Sequence, residues 1–302
     1  MICQYLYNEK QRNCGNATKS VKKTPMSKKV EKAKLYYELH GNGAPLLMIA
    51  GLGCDSQSWL PILHHLAKHF QVIVFDNRGT GRSVIPGLHY GIRDMADDAV
   101  KLLDHLNIRS TNIIGFSMGG FIAQELAIGH PERVGKLILE STAPLSSARN
   151  NLLFENLYQW RLDGMGLEPW INAWSFWLFA PQRFEDRRFI DAYVKGALEH
   201  PYPQSIGAFK GQIDAISAHN TLSRLKKIQA ETLVIEGKED MLIPPGEAEP
   251  LAKRIPKCSL SVVDDAAHSV HLEKPKAFAN AVLDFLNCGS VDSSNQPLPR
   301  IR

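Results

Sequence analysis

Residues 112–130 read NIIGFSMGGFIAQELAIGH. The run NIIG is short and apolar, as in a buried strand, and residues 118–129 continue as a helix. Between them, Gly115, Ser117 and Gly119 form the pattern G-x-S-x-G, in which a sharp turn from strand to helix lifts the serine hydroxyl clear of the sheet. Glycines two residues to either side of the serine leave room for that turn. The stretch therefore predicts a strand, a strained turn that presents a serine, and a helix.

The same alternation of strand and helix extends in both directions from this turn. Short, almost wholly apolar runs fit strands buried on both faces of a parallel sheet, and the segments between them fit helices. A further strand is predicted over 30–39, ending at the glycine turn of residues 41–43. The pattern predicts an α/β fold with a mostly parallel central sheet flanked by helices. The predicted strands are 46–50, 72–75, 112–115, 137–139, 232–236 and 259–263, and the predicted helices are 58–68, 92–106, 118–129 and 275–287.

The segment 144–226 interrupts this alternation and differs in kind. It has no clear buried strand, and it holds four of the five tryptophans. Trp170, Trp174 and Trp177 are spaced to lie on one face of a helix. That face can pack the segment onto the main domain, line an apolar pocket, or do both. We therefore predict an inserted helical cap over 144–226, with the three tryptophans as candidate pocket residues.

A serine hydroxyl is a poor nucleophile at neutral pH, so it needs a base to take its proton and a third group to orient that base. His268 follows the last predicted strand, in AAHSVHLEKP, and Asp240 follows the preceding strand, in GKEDMLIP. The carboxyl ends of parallel strands meet at one edge of a sheet, which is also where Ser117 is predicted. Ser117, His268 and Asp240 are therefore the candidate nucleophile, base and orienting acid.

Neighbouring residues compete for two of these roles. His271 lies three residues beyond His268 and is the alternative base. The alternatives to Asp240 as the acid are Glu239, Asp264 and Asp265. The sequence favours His268 and Asp240 and leaves these alternatives open.

Composition and charge argue against several classes of partner. The hydrophobic fraction of 44% and the charged fraction of 22% are typical of a soluble globular protein. No apolar run approaches the roughly 18 residues that a membrane span requires. The net charge of +4 comes from residues 1–34, where nine Lys or Arg face two acids, and the rest of the chain has three more acids than bases. We therefore predict no nucleic-acid partner and no membrane span, and nothing in the sequence indicates an oligomeric state. The candidate nucleophilic serine instead points to a small-molecule carbonyl substrate.

The five cysteines are widely spaced, with no C-x-x-C pair and no metal-type cluster, so no disulfide is indicated. The first residues, MICQYLYNEK, lack the basic start and the apolar stretch of a secretory signal. These observations predict a cytoplasmic location. Residues 1–29 are expected to form a basic, disordered extension, and residues 289–302 a flexible tail.

From Lys34 to about Cys288 the chain resembles the α/β-hydrolase superfamily, and within it the bacterial serine esterases similar to 3-oxoadipate enol-lactonase. The matching pieces are GLG at 51–53, DNRGTGRS at 76–83 and the motifs GFSMGG, GKEDMLIP and AHSVHLEKP. The resemblance implies the α/β-hydrolase fold, with a core of residues 30–143 and 227–288 and a cap between the sixth and seventh core strands. It also implies a triad in the chain order serine, acid, histidine.

The resemblance further implies an oxyanion hole formed by the backbone N–H groups of Leu52 and Met118. Many relatives have His-Gly where this chain has Ala50-Gly51. The hole is expected to tolerate that departure, because its donors are main-chain groups. The segment 76–83 is expected to be structural, with its two arginines anchoring loops.

The activity implied by the resemblance is hydrolysis of a carboxylic ester or lactone through an acyl-enzyme intermediate, with no metal and no organic cofactor. A serine at position 117 argues against haloalkane dehalogenase and epoxide hydrolase chemistry, which use an aspartate nucleophile. The same triad also serves C–C bond hydrolases of ring-fission products, thioesterases, acyl-carrier methyl esterases and perhydrolases, and these alternatives stay open. A ligand receptor or scaffold without turnover is the alternative from another class.

Overall fold

The computed structural model describes residues 6–7, 34–83, 87 and 89–287. Its centre is a sheet of seven strands, and two short strands lie outside that sheet. In chain order the strands are β1 (Leu6–Tyr7), β2 (Tyr37–His40), β3 (Ala44–Ile49), β4 (Phe70–Phe75), β5 (Thr111–Phe116), β6 (Val134–Glu140), β7 (Gln204–Ser205), β8 (Glu231–Gly237) and β9 (Cys258–Val263). The helices are α1 (Leu60–Leu66), α2 (Ile92–His105), α3 (Met118–Gly129), α4 (Ala148–Leu162), α5 (Leu167–Leu178), α6 (Pro181–Glu185), α7 (Arg187–Leu198), α8 (Ile206–Ser217), α9 (Pro245–Arg254), α10 (Val270–Glu273) and α11 (Pro275–Asn287).

The sheet is mostly parallel, as the sequence predicted. Its strands lie in the order β2-β4-β3-β5-β6-β8-β9, and only the pairing of β2 with β4 is antiparallel among the described strands of this sheet. The register sets Ile49 opposite Gly115, and Phe116 opposite Glu140. The carboxyl ends of the parallel strands therefore lie side by side at one edge, and the loops that follow them meet there.

Helices cover both faces of the sheet, and each apolar strand contributes to both layers. On β3, Leu47 and Ile49 belong to the core cluster that includes α2 and α3, while Leu46 and Met48 belong to the cluster that includes α1 and α11. All four side chains are fully buried. A strand buried on both faces has no polar alternation, which is why these runs are apolar throughout.

Five helices, α4 to α8, lie between β6 and β8, in the segment where the sequence predicts a cap. Among the described residues these two strands are the fifth and sixth of the sheet, whereas the family resemblance implied the sixth and seventh. Apart from Leu6–Tyr7, the residues before Lys34 lie outside the described part.

The start of the first sheet strand differs from the predicted range 30–39. The strand that the structure describes is Tyr37–His40, and Gly41 and Gly43 form the turn after it with φ of +75° and +130°. The short strand Leu6–Tyr7 pairs in parallel with Gln204–Ser205 of the cap segment. The rest of the extension predicted over 1–29, and the whole tail predicted over 289–302, lie outside the described residues.

The cysteines differ from the prediction. Cys54 is disulfide-bonded, whereas Cys258 is free. The expectation that no disulfide forms is therefore wrong, because an odd number of widely spaced cysteines does not reveal which of them meet in space. None of the helices in the described ranges is long and apolar enough to cross a membrane.

Candidate active site

Ser117 lies in the tight turn between β5 and α3. Its φ of 53° and ψ of −117° are values that residues other than glycine rarely adopt. Its backbone N–H donates to the carbonyl oxygen of Glu140 at 2.9 Å, and the Thr142 hydroxyl donates to its carbonyl oxygen at 2.9 Å. These hydrogen bonds to the end of β6 and the loop after it hold the strained turn in place.

Two glycines of the motif are required by close packing of the backbone. A Cβ on Gly119 would lie 2.0 Å from the carbonyl oxygen of Ile49, and a Cβ on Gly115 would lie 2.5 Å from the carbonyl oxygen of Gly119. Both contacts are with main-chain atoms, which cannot rotate away as a side chain can. The G-x-S-x-G pattern therefore reflects how closely β3, β5 and α3 approach one another beside the serine.

The His268 ring, in the loop after β9, joins Ser117 to Asp240. Its Nε2 lies 2.9 Å from Oγ of Ser117, and its Nδ1 lies 2.8 Å from Oδ2 of Asp240. With Nδ1–H donating to the carboxylate, Nε2 is left with the lone pair that can accept the serine proton. The structure thus brings the three residues that the sequence singled out into one hydrogen-bonded chain.

Asp240 follows β8 and is held by three hydrogen bonds. The backbone N–H groups of Leu242 and Ile243 each donate to its Oδ1 at 2.8 Å, and Nδ1 of His268 pairs with its Oδ2. The Asp240 side chain is fully buried. Because every one of these bonds is donated to the carboxylate, its orientation toward His268 is firmly set.

The alternative base and acids have other partners. Nδ1 of His271 lies 2.8 Å from Oε1 of Glu140, and both side chains are fully buried. The acids pair as follows: Asp264 with Lys238, Asp265 with Lys274, and Glu239 with Gln182. None of these alternatives therefore takes part in the hydrogen bonds that join Ser117, His268 and Asp240.

A buried acid, Glu236, lies at the end of β8 close to Asp240. Burial, together with the negative charge of Asp240, raises the pKa of Glu236 to about 8. Neither of its carboxyl oxygens has a hydrogen-bond partner among the described residues. Glu236 is therefore protonated at neutral pH and adds no second negative charge beside Asp240.

Glu273 joins the cap to the loop that carries His268. Its Oε1 accepts the backbone N–H of Ala267 at 2.8 Å, and its Oε2 accepts the backbone N–H of Ala180, between α5 and α6, at 2.9 Å. Burial raises the pKa of Glu273 to about 7, although these hydrogen bonds and the charge of Arg183 act in the opposite direction. Because Ala267 directly precedes His268, the carboxylate ties the position of the cap to that of the candidate base.

An apolar cavity opens onto Ser117 and His268, and it encloses about 470 Å³ of empty space with its mouth included. No Asp, Glu, Lys or Arg is among the described residues that line it. Among all the described residues, those of the cavity included, no group of three or more His, Cys, Asp or Glu side chains is arranged to hold a metal ion. Six of the apolar lining residues are Phe121, Phe154, Trp174, Leu178, Ile216 and Leu242.

Of the three tryptophans predicted as pocket residues, Trp174 lines this cavity. Trp170 instead faces the interior of the cap, where its Nε1–H donates to the carbonyl oxygen of Leu157 at 2.8 Å and its ring packs edge-on against Phe209. Trp177 packs against the hydrophobic core and is not among the described lining residues. Helical spacing predicts which residues share a face, but not which part of that face meets a cavity.

Leu52 and Met118 also line the cavity. Met118 is the first residue of α3, where the N–H groups of a helix have no acceptor within the helix. In the part of the chain that the structure describes, neither its N–H nor that of Leu52 has a hydrogen-bond partner. Two unpaired backbone donors beside the Ser117 hydroxyl form an arrangement that can stabilise an oxyanion.

The loop of residues 50–55 after β3, here called the oxyanion loop, is held from behind by buried polar groups. The backbone N–H of Gly53 donates to the side-chain oxygen of Gln212, in α8, at 3.0 Å. The amide nitrogen of Gln212 donates to the carbonyl oxygen of Arg78 at 3.1 Å. Within the segment 76–83, Nε of Arg82 lies 3.0 Å from Oδ2 of the buried Asp76. The cap and this segment together therefore support the oxyanion loop.

A family model described as the α/β hydrolase fold matches residues 44–275. The chain therefore belongs to the α/β-hydrolase family, as its motifs predicted. An enol-lactonase from Burkholderia xenovorans LB400 is similar, with a TM-score of 0.74 and 26% identity over 84% of this chain and 97% of that chain. A thermophilic esterase from Thermogutta terrifontis has a TM-score of 0.76 and 25% identity over 87% of this chain and 96% of that chain. RutD from Azorhizobium caulinodans, named as a candidate carbamate hydrolase, is 32% identical over 269 residues, which are 86% of this chain and 97% of RutD.

Sequence reasoning missed four polar residues around the site. Two of them carried a signal, since Glu140 ends the apolar run LIL and Glu236 ends TLVI, and an acid at the end of a buried strand requires a partner or a raised pKa. Gln212 and Glu273 carried none, because both act across the boundary between the cap and the core.

Proposed function

We propose that the chain is a serine hydrolase that cleaves a carboxylic ester or lactone through an acyl-enzyme intermediate. Ser117 is the nucleophile, His268 the general base and acid, and Asp240 the group that orients His268. The observation that carries the proposal is the hydrogen-bonded chain from Asp240 through His268 to Ser117, which ends in an apolar cavity.

In the first half of the reaction, Oγ of Ser117 attacks the carbonyl carbon of the substrate while Nε2 of His268 takes the hydroxyl proton. The carbonyl oxygen gains negative charge and accepts hydrogen bonds from the N–H groups of Leu52 and Met118. The tetrahedral intermediate then collapses, and His268 returns the proton to the departing alkoxide. An acyl group remains on Ser117. When the substrate is a lactone, the alcohol formed stays attached to that acyl group.

In the second half, a water molecule attacks the acyl group, after the alcohol of an ester substrate has departed. Nε2 of His268 accepts a proton from the water as its oxygen attacks the acyl carbon, and the same donors stabilise the second oxyanion. Collapse releases the carboxylic acid, and the proton on His268 returns to Ser117. Asp240 keeps one orientation throughout and stabilises the imidazolium that forms in each half.

The cavity favours an uncharged acyl group. A carboxylate carried by the substrate would lose its hydration in a cavity whose described lining offers no lysine or arginine. We therefore expect a butyryl ester to be hydrolysed at least roughly 100-fold more efficiently than the succinyl ester of the same alcohol. Equal efficiency for the two esters would contradict this choice of substrate class.

Carbamate hydrolysis is a second candidate, because RutD of Azorhizobium caulinodans is named for it and is 32% identical to this chain. The same nucleophile, base and oxyanion donors can act on a carbamate carbonyl. The two candidates differ in the acyl group that the cavity accepts, so a direct comparison of matched phenyl esters and phenyl carbamates separates them.

The test is hydrolysis of p-nitrophenyl esters from acetate to decanoate, a γ-lactone and a phenyl carbamate by the wild type, Ser117→Ala and Ser217→Ala. We expect ester or lactone turnover that falls by about 10⁶ in kcat in Ser117→Ala. Ser217, an exposed residue at the end of α8, is the control, and its variant should keep wild-type activity.

Three other outcomes would change the proposal. A higher kcat/KM for the carbamate would favour the second candidate. Turnover of a vinylogous diketone, a thioester or a peracid in preference to every ester would point to the other reactions that use this triad. A wild type that binds ligands without turnover would favour a receptor.

A cytoplasmic location is also part of the proposal, and the disulfide-bonded state of Cys54 is the observation that stands against it. Cytoplasmic thiols are kept reduced. Alkylation at the moment of cell lysis, followed by mass spectrometry, should find Cys54 modified if the protein is cytoplasmic. Protection of Cys54 in a disulfide would contradict that location.

A further inference from the structure

Glu140 contacts both the turn that carries Ser117 and the segment that carries His268. Its backbone carbonyl oxygen accepts the N–H of Ser117 at 2.9 Å. Its carboxylate Oε1 accepts the backbone N–H of His271 at 2.9 Å and lies 2.8 Å from Nδ1 of the same residue. His271 lies in α10, three residues after His268. The last residue of β6 therefore holds the nucleophile through its main chain and the histidine segment through its side chain.

The pair formed by Glu140 and His271 is enclosed by aromatic rings. Both side chains are 0% exposed. The ring of His271 lies 4.7 Å from that of Trp59 and 4.7 Å from that of Phe116, and Phe116 also lies 5.2 Å from the ring of His268. In such surroundings water cannot replace a lost hydrogen bond, so the protein itself must move to satisfy the group left without a partner.

His271 is not placed to act as a base. Its Nε2 has no hydrogen-bond partner among the described residues, and the residue does not line the cavity at Ser117. Stability alone is a weak explanation for the pair, because a buried pair of this kind commonly contributes no more stability than apolar residues of the same volume. What distinguishes the pair is its connection to two of the three triad segments.

We propose that Glu140 and His271 are positioning residues that set the distance between Nε2 of His268 and Oγ of Ser117. This inference rests on the proposed function of those two residues. Glu140 fixes α10 relative to the turn of Ser117, and only two residues separate His271 from His268. A shift of α10 therefore moves the imidazole of His268, and a displacement of 1 Å is enough to reduce a rate by about 100-fold.

Two substitutions at His271 separate the hydrogen bond from the packing. His271→Phe keeps a ring and removes the donor, while His271→Asn removes the ring and keeps a side-chain N–H donor. We expect kcat for p-nitrophenyl butyrate to fall roughly 10- to 100-fold in His271→Phe, with KM within roughly threefold of the wild type. We expect His271→Asn to recover part of that loss. The downfield NMR signal of the proton between His268 and Asp240 should shift in His271→Phe and return toward its wild-type position in His271→Asn.

Val282→Ala controls for lost stability, because Val282 is fully buried in α11, outside the histidine segment. Its kcat should stay at the wild-type value. Glu140→Leu is the second variant if His271→Phe fails to fold. It removes the acceptor of both hydrogen bonds from His271, so it should show at least the same loss of kcat and the same NMR shift. Failure of both variants to fold would overturn the proposal in favour of a folding role.

Wild-type kcat in the folded variants, or an equal loss of kcat in Val282→Ala, would also overturn the positioning role. A wild type that reacts with neither esters nor a serine-directed phosphonate would count instead against the proposed function on which this role rests.

Discussion

The backbone N–H of Gly53 donates a hydrogen bond to the side-chain oxygen of Gln212, 3.0 Å away, and this bond joins the oxyanion loop to the cap. Gln212 is fully buried in α8, and its oxygen also accepts a hydrogen bond from the Gln204 amide at 3.0 Å. The position of Leu52, the neighbour of Gly53, therefore depends on a residue of the cap. The helices of the segment 144–226 therefore hold the loop beside Ser117 as well as lining the cavity that opens onto it.

Replacing Gln212 with leucine should impair the oxyanion hole. Gln212→Leu leaves the N–H of Gly53 buried without an acceptor, which costs about 1–3 kcal/mol unless the loop moves. We expect kcat for ester hydrolysis to fall roughly tenfold or more, with a smaller change in KM. Steady-state kinetics checks this, with Asp214→Asn as the control, since Asp214 is exposed on the same helix. Equal kcat in all three proteins would show that the loop does not need this support.

Replacing Gly119 with alanine should prevent the turn of Ser117 from forming. Its Cβ would lie 2.0 Å from the carbonyl oxygen of Ile49, whereas a Cβ on Gly129, in the same helix, meets no atom within 4 Å. We expect Gly119→Ala to be unfolded or inactive. Gly129→Ala should be active and more stable than the wild type by up to about 1 kcal/mol. Urea denaturation and ester hydrolysis check both variants, and an active, stable Gly119→Ala would contradict the packing described here.

The stability of the protein should carry a pH dependence that comes from Glu236. Burial and the negative charge of Asp240 raise the pKa of Glu236 from the ordinary value of 4.5 to about 8 in the folded protein. Between these values the unfolded chain releases the proton and the folded protein keeps it, so the contribution of Glu236 to stability falls as pH rises and is lost above about pH 8. Glu236→Gln removes this effect.

We therefore expect the Tm of Glu236→Gln, relative to that of the wild type, to increase steadily from pH 5 to pH 8 and then to level off. Over this range the difference in the free energy of unfolding should change by about a few kcal/mol. Thermal denaturation of both proteins across this range provides the measurement. Glu231→Gln, at the exposed start of the same strand, is the control and should show no such trend. A difference in Tm that does not change with pH would show that Glu236 titrates normally.

Trp174 should limit the length of the acyl group. Trp174→Leu enlarges the cavity, so the preferred p-nitrophenyl ester should shift toward longer chains. Trp170→Leu is a matched control, because it removes a buried indole from the same helix at a position that does not line the cavity. That variant should lose stability by about 1–3 kcal/mol and keep the wild-type chain-length profile. The same shift in both variants would mean that the cap as a whole, and not Trp174, sets the preference.

Much of the core, and the grouping of Ser117, Asp240 and His268, was predictable because the signals are local. The motif around Ser117 and the apolar runs of β3 to β6, β8 and β9 each depend on neighbouring residues, and strand ends in a parallel sheet converge by geometry. Helix α9 was missed, since its sequence PGEAEPLAKR has a proline inside the helix and weak apolar periodicity. Local pattern therefore recovered most of the elements and the three residues that the structure joins by hydrogen bonds.

What could not be predicted depends on contacts between distant segments. Glu140 meets His271 across 131 positions, and Gly53 meets Gln212 across 159 positions. The disulfide at Cys54 also depends on a contact that local pattern does not record. Which of the cap tryptophans lines the cavity depends on how the cap meets the core. A single sequence has no periodicity that records such pairs.

The central claim is that Ser117 is a working nucleophile, and covalent labelling tests it most directly. The wild type, Ser117→Ala and His268→Gln should each be treated with a fluorophosphonate and analysed by intact-mass and peptide mass spectrometry. We predict that the wild type gains one phosphonyl group on Ser117, that Ser117→Ala gains none, and that His268→Gln reacts far more slowly. A wild type that stays unlabelled, or one labelled on another residue while Ser117 remains free, would contradict the account.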